Sequence, residues 1–153
     1  PSLCAASLDS LSFSIDGLGE THDELRGQEG AFEKTVAAIK RVRAELSCRC
    51  SIYFVATNKN VHQLIDVFEL SLELGCSFDF WPVNDAPELY ITDPKDVQKW
   101  EEAVSYIAQR SKRAYENMAF YRDGMRYHAH QLQGKSMRCL GLIDQYGITY
   151  DIR

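Results

Sequence analysis

The stretch Leu11-Ser12-Phe13-Ser14-Ile15-Asp16-Gly17 alternates apolar and polar side chains. Successive side chains on a strand point to opposite faces, so one face here carries Leu11, Phe13 and Ile15 and the other Ser12, Ser14 and Asp16. The next forty residues read as a helix and then a second strand. Strands joined through helices pair in parallel, and such strands are usually apolar on both faces because helices cover both. A polar face therefore narrows the choice. In a barrel of parallel strands only the outer face packs on helices, the inner face looks into the lumen, and the C-terminal strand ends build the site. On that arrangement Ser12, Ser14 and Asp16 line an interior that holds a polar ligand. The alternative is that the serines satisfy neighbouring backbone groups and Asp16 caps the turn at Gly17.

The rest of the chain continues the alternation of elements. Residues 17–30 are polar and glycine-punctuated, which predicts a loop. Residues 31–46 predict a helix, with Phe32, Val36, Ile39 and Val42 or Leu46 as the buried stripe. Ser51 to Thr57 is a β-branched and aromatic run, a buried strand. Asn60 is a suitable N-cap for a helix carrying Val61, Leu64, Ile65, Phe68 and Leu72, and Gly75 stands where a left-handed helix end belongs. Ser77 to Val83 predicts a third strand. Asp93-Pro94 opens a further helix with proline at its first position, and Val97, Trp100, Val104 and Ile107 form its apolar face. A helical stretch over about 112–132 follows, weakened by Gly124, and then two short strands around Gln145-Tyr146-Gly147. The expected fold is α/β: a partial parallel (βα) barrel of about three strands with covering helices over 1–136, then a C-terminal β-hairpin or cysteine-rich tail over 137–153.

Composition excludes some classes. The chain has 153 residues, 45% of them hydrophobic and 25% charged, which suits one globular domain. A net charge of −5 argues against a large nucleic-acid footprint. No apolar run approaches the roughly 18 residues that span a bilayer, and the N-terminus has no basic and apolar leader pattern. The five cysteines, Cys4, Cys48, Cys50, Cys76 and Cys139, are odd in number and irregularly spaced, which predicts reduced thiols in a cytoplasmic protein. Cys48 and Cys50 are one residue apart, not two, and read as small buried hydrophobes. His128 and His130 would point to different sides of a helix and make a poor metal pair. Gly17 and Gly19 lack the third glycine of a dinucleotide motif, and residues 27–30 lack the lysine of a phosphate-binding loop.

The wider segment from Ser12 to Gly27, Ser-Phe-Ser-Ile-Asp-Gly-Leu-Gly-Glu-Thr-His-Asp-Glu-Leu-Arg-Gly, resembles the fourth-strand region of radical S-adenosylmethionine enzymes. It is most similar to the branch with a cysteine-rich C-terminal extension for auxiliary iron–sulfur clusters, which includes peptide-modifying and sulfatase-maturing enzymes. Thr57-Asn58-Lys59-Asn60-Val61-His62 resembles the fifth strand running into its helix. Leu74-Gly75-Cys76 and Phe78 to Val83 resemble the sixth-strand approach, and Cys139 to Tyr150 resembles the start of the extension. The family's cysteine triplet for the cluster and its glycine- and glutamate-rich second strand are not in this sequence. The expectation is therefore a segment of the parent enzyme, the second half of its barrel and the beginning of its extension.

The resemblance implies a set of roles. In the parent, a [4Fe-4S] cluster chelated by S-adenosylmethionine cleaves that cofactor reductively, and a substrate hydrogen is then abstracted. Ser14 would hydrogen-bond the cofactor near its carboxylate, and Arg26 would face the same carboxylate as a charge-assisted fork. Asp16 touches the cofactor or braces the loop. Asn60 or Asn58 would approach the ribose, and Cys139 would ligate an auxiliary cluster. Each has a plainer alternative: Arg26 on a solvated loop among Asp23 and Glu24, Asn60 as a helix cap, His22 as an exposed loop residue. The parent's substrate is unknown, a peptide or protein being possible. Without the cluster this chain alone is expected to bind no cofactor tightly and to be inactive. The alternative function is a non-catalytic α/β module for binding or dimerisation. Either way the first strand presents a sheet edge suited to self-association.

Overall fold

The computed structural model describes residues 8–84 and 86–110. Three parallel strands lie in the order of the sequence: β1 (Ser10–Ser14), β2 (Arg49–Ala56) and β3 (Ser77–Pro82). Between β1 and β2 run α1 (Glu20–Arg26) and α2 (Ala31–Glu45); α3 (Leu64–Glu73) links β2 to β3, and α4 (Pro94–Arg110) follows. The ladders pair Ser12 with Ser51 and Ser14 with Tyr53, then Ser51 with Ser77, Tyr53 with Asp79 and Val55 with Trp81. The α/β architecture with an open parallel sheet is the one expected of a partial barrel. The predicted helix over 112–132, the hairpin, the boundary at 136/137, Cys4, Cys139, His128 and His130 lie outside the described residues.

The two sheet faces differ as the first strand's pattern requires. On one face Cys50, Ile52, Phe54, Ala56, Phe78 and Phe80 are buried, with Leu11 and Phe13 packed at their margin. Ile39 and Val42 of α2, Leu64, Val67 and Phe68 of α3, and Trp100, Val104 and Ile107 of α4 complete that core. Phe78 meets Phe68 edge-on at 5.6 Å between ring centroids, and Phe80 meets Trp100 at 5.6 Å, so β3 is fastened to both α3 and α4 by aromatic contacts. On the other face Ser12 and Ser14 are exposed and Ser51, Tyr53, Val55, Asp79 and Trp81 half-buried. No described helix covers them. One covered face and one open face is the arrangement of a barrel wall rather than of a sheet with helices on both sides.

Local chemistry sets the helix ends. Asp93 caps α4, its carboxylate accepting the Lys95 N–H at 2.8 Å, with Pro94 at the first helical position. Past the end of α3, Gly75 takes φ +65°, and Cys76 N–H returns to the Ser71 carbonyl at 2.8 Å, a Schellman closure that needs a residue at ease in the left-handed region. The expected loop over 17–30 is corrected: residues 20–26 form α1. Two of its acidic residues, Glu20 and Asp23, stand in the first turn and Arg26 in the last, which suits the helix dipole.

Candidate functional site

The C-terminal ends of β1 and β2 are joined by polar contacts that converge on Asp16. The ladder runs one residue past β1, Ile15 N–H donating to the Tyr53 carbonyl at 3.0 Å, and then the chain turns. Asp16 is buried there, 8% exposed. Its Oδ1 accepts the Val55 N–H at 2.9 Å, a donor on the sheet that has no strand partner at this level. Its Oδ2 accepts from Arg26, forming an ion pair. Its own N–H donates to His22 Nδ1 at 3.1 Å, and its carbonyl accepts from Asn60 Nδ2 at 2.8 Å. Every polar group of this residue is used.

Asn60 is fully buried and shares its amide between the two strand exits. Nδ2 donates to the Asp16 carbonyl and, at 2.9 Å, to the Val55 carbonyl. Oδ1 accepts the Thr57 N–H at 2.7 Å and the Thr57 hydroxyl at 3.0 Å. The expectation of a helix cap is corrected: Asn60 occupies the cap position of a 3-10 turn over Val61–Gln63, but its side chain makes no bond forward into that turn. It points back into the sheet, where backbone groups at the strand ends lack ladder partners. Gln63 does a related job one turn on, accepting the Leu18 N–H at 2.8 Å and donating to Thr21 Oγ1 at 3.0 Å. The chain at Gly17 passes so close to this clasp that a Cβ there would sit 2.7 Å from Thr21 Cγ2 and 2.8 Å from Gln63 Oε1.

His22 is not the exposed loop residue that was expected. It is 1% exposed, in α1, with its ring edge against Phe32 of α2. Burial pushes its pKa below the usual 6.5, and the Arg26 guanidinium pushes it the same way against Asp16 and Asp23. A neutral ring with its proton on Nε2 is the form that can accept at Nδ1. Asp23, its neighbour, turns the other way. Its carboxylate accepts the Phe32 N–H at 2.8 Å and the Gly30 N–H at 2.6 Å, and these backbone donors hold its pKa below 3.8. Asp23 thus caps α2 from the preceding helix.

The sequence-predicted residues divide accordingly. Asp16, Arg26 and Asn60 meet in one network; Ser14 stands at the end of β1 on the open face, paired in register with Tyr53. Tyr53 in turn meets Trp81 edge-on at 5.3 Å, so the open face carries an aromatic pair beside Ser14. The Arg26 side chain is 41% exposed and retains donors for an incoming anion beyond the Asp16 pair. Asn58 is exposed and donates to the Glu88 carbonyl at 3.0 Å. His22, Gln63 and Asp23 were missed as members of this region. The four-residue spacing of His22 and Arg26, which places both on one side of a helix, was the available signal.

Among the described residues no group of three or more His, Cys, Asp or Glu is arranged to hold a metal ion. The described cysteines Cys48, Cys50 and Cys76 are buried at the N-terminal strand ends, opposite the Asp16 network. Burial raises the Cys50 pKa and raises that of Cys76 to about 11.

Comparison with known proteins bears on this site. No protein-family model matches the chain. Over 74 residues, 48% of its length, the chain is 42% identical to an AdoMet-dependent heme synthase of Methanosarcina barkeri. It is 32% identical over 66 residues to the sporulation killing factor maturation protein SkfB of Bacillus subtilis, and 31% identical over 67 residues to a pre-heme d1 synthase of Dinoroseobacter shibae. These matches cover 48%, 43% and 44% of this chain but only 21%, 16% and 16% of the respective relatives. No helix among the described residues is long and apolar enough to cross a membrane.

Proposed function

We propose that this chain is a segment of a radical S-adenosylmethionine enzyme and that the exit of β1 is where it meets the methionyl end of that cofactor. The observation that carries the proposal is the similarity to an AdoMet-dependent heme synthase, together with the open sheet face ending in Ser14, Asp16 and Arg26. When bound, S-adenosylmethionine brings a carboxylate, an amine and an adenosine. Arg26 offers the carboxylate a charged donor whose orientation Asp16 fixes in advance. Ser14 adds a hydroxyl from the adjacent strand end. Asn60 contributes indirectly: with all of its amide committed to Asp16, Val55 and Thr57, it holds the two strand exits at a fixed separation. Among the described residues the cysteines are not grouped with other ligands to hold a cluster.

The contacts this chain can offer are few. Charge-assisted hydrogen bonds contribute roughly 1.5–3 kcal/mol each and must offset the cost of immobilising the ligand. Binding of S-adenosylmethionine to this chain alone is therefore weaker than micromolar. Calorimetric titration of the chain and of Arg26→Gln tests the proposal. Weak binding that Arg26→Gln abolishes supports it; micromolar affinity, or affinity indifferent to Arg26, contradicts it.

A further inference from the structure

His22 and Arg26 lie four residues apart on α1, and both reach the same residue of β1's exit: the imidazole takes the Asp16 N–H, the guanidinium its carboxylate. We propose that His22 is the positioning residue of this site, neutral and protonated on Nε2, holding the Asp16 backbone so that its carboxylate receives Arg26. Protonation of Nδ1 takes away the only lone pair that the Asp16 N–H uses and sets an imidazolium on the same helix side as Arg26. The strap then loosens, so the site is set at neutral pH and released in acid.

The geometry carries this directly. His22 is sealed from solvent, and its Nδ1 stands 3.1 Å from the Asp16 nitrogen. The charges acting on the ring are Arg26 and Asp23 from its own helix and Asp16 from β1; from α2 it meets the Phe32 ring. Arg26 and burial oppose the imidazolium, and the two carboxylates only partly offset them. The bond from the Asp16 N–H requires Nδ1 to stay bare, and that fixes the tautomer. The proposal rests on reading the β1 exit as the site, but its mechanics concern residues of this chain alone.

The test is an NMR pH titration of the full chain without added ligand. The Asp16 amide and the His22 ring resonances are followed together. The expected result is one shared transition with a midpoint below 6.5, above which the Asp16 amide exchanges several-fold more slowly than in His22→Ala. His22→Asn keeps an acceptor near the Nδ1 position but cannot titrate, so it should restore the slow exchange and abolish the transition. An Asp16 amide that stays constant while His22 titrates, or a His22→Asn chain that behaves like His22→Ala, overturns the proposal. Because no S-adenosylmethionine is present, either outcome leaves the cofactor proposal to its own titration.

Discussion

The Asn60 amide donates to the Asp16 carbonyl across 44 positions of sequence, and that bond ties the exit of β1 to the exit of β2. Parallel strands end in backbone groups with no ladder partner, and here one buried side chain satisfies three of them and the Thr57 hydroxyl besides. The loop that carries Asp16 is thereby fixed to the sheet rather than left to wander.

Replacing Asn60 with Ala removes all four bonds and leaves two buried carbonyls and the Thr57 N–H without this partner. Each orphaned buried group costs about 1–3 kcal/mol, so the expected loss of folding stability is about 3 kcal/mol or more. Urea unfolding measures it. A loss under about 1 kcal/mol would mean that water or a shifted backbone replaces the amide.

At Gly17 the constraint is space. Added at this position, a Cβ would press on Thr21 and Gln63, so Gly17→Ala should cost about 1–3 kcal/mol through overpacking and should disturb the Leu18 to Gln63 bond. Thermal unfolding together with the Leu18 amide resonance reports both effects. An unchanged melting temperature would contradict the close packing of this turn.

Acid should weaken the fold in two stages. The folded-state pKa of His22 lies below its ordinary 6.5, so the unfolded chain binds the proton more readily. Its contribution is complete above about pH 6.5 and is lost as pH falls through the lower folded value. Asp23 follows the same sign at lower pH, its contribution present above 3.8 and lost below. Chemical denaturation at stepped pH should show stability falling in the first window in the natural chain but not in His22→Asn.

Much of this was legible in the sequence, and the reasons are specific. Leu11, Phe13 and Ile15 against Ser12, Ser14 and Asp16 showed which sheet face would be covered, because strand periodicity is local. Gly75 and Asp93-Pro94 marked helix ends through backbone chemistry that needs no tertiary context. The helix over residues 20–26 escaped because flanking glycines dominate so short a segment, and seven residues hold a helix only when packing supports it. His22 was read as a loop residue, and Asn60 either as a ribose contact by resemblance or as a helix cap. The bonds that bring them into the site are to Asp16, 6 and 44 positions away, which no local pattern reveals.

The cysteines give a further prediction. Below its pKa of about 11, Cys76 is almost entirely thiol, and Cys50 beside it is shifted the same way. Alkylation at pH 8, followed by peptide mass spectrometry, should label Cys50 and Cys76 at least about tenfold more slowly in the folded chain than in denaturant. Equal rates would place these thiols at the surface.

The most direct measurement is an amide-shift map of the labelled chain as S-adenosylmethionine is added to millimolar concentration. The account predicts shifts gathered at Ser14 to Gly19, at Arg26 and at Val55, and their disappearance in Arg26→Gln. Shifts centred on the N-terminal strand ends, or none at all, would contradict a ligand site at the exit of β1.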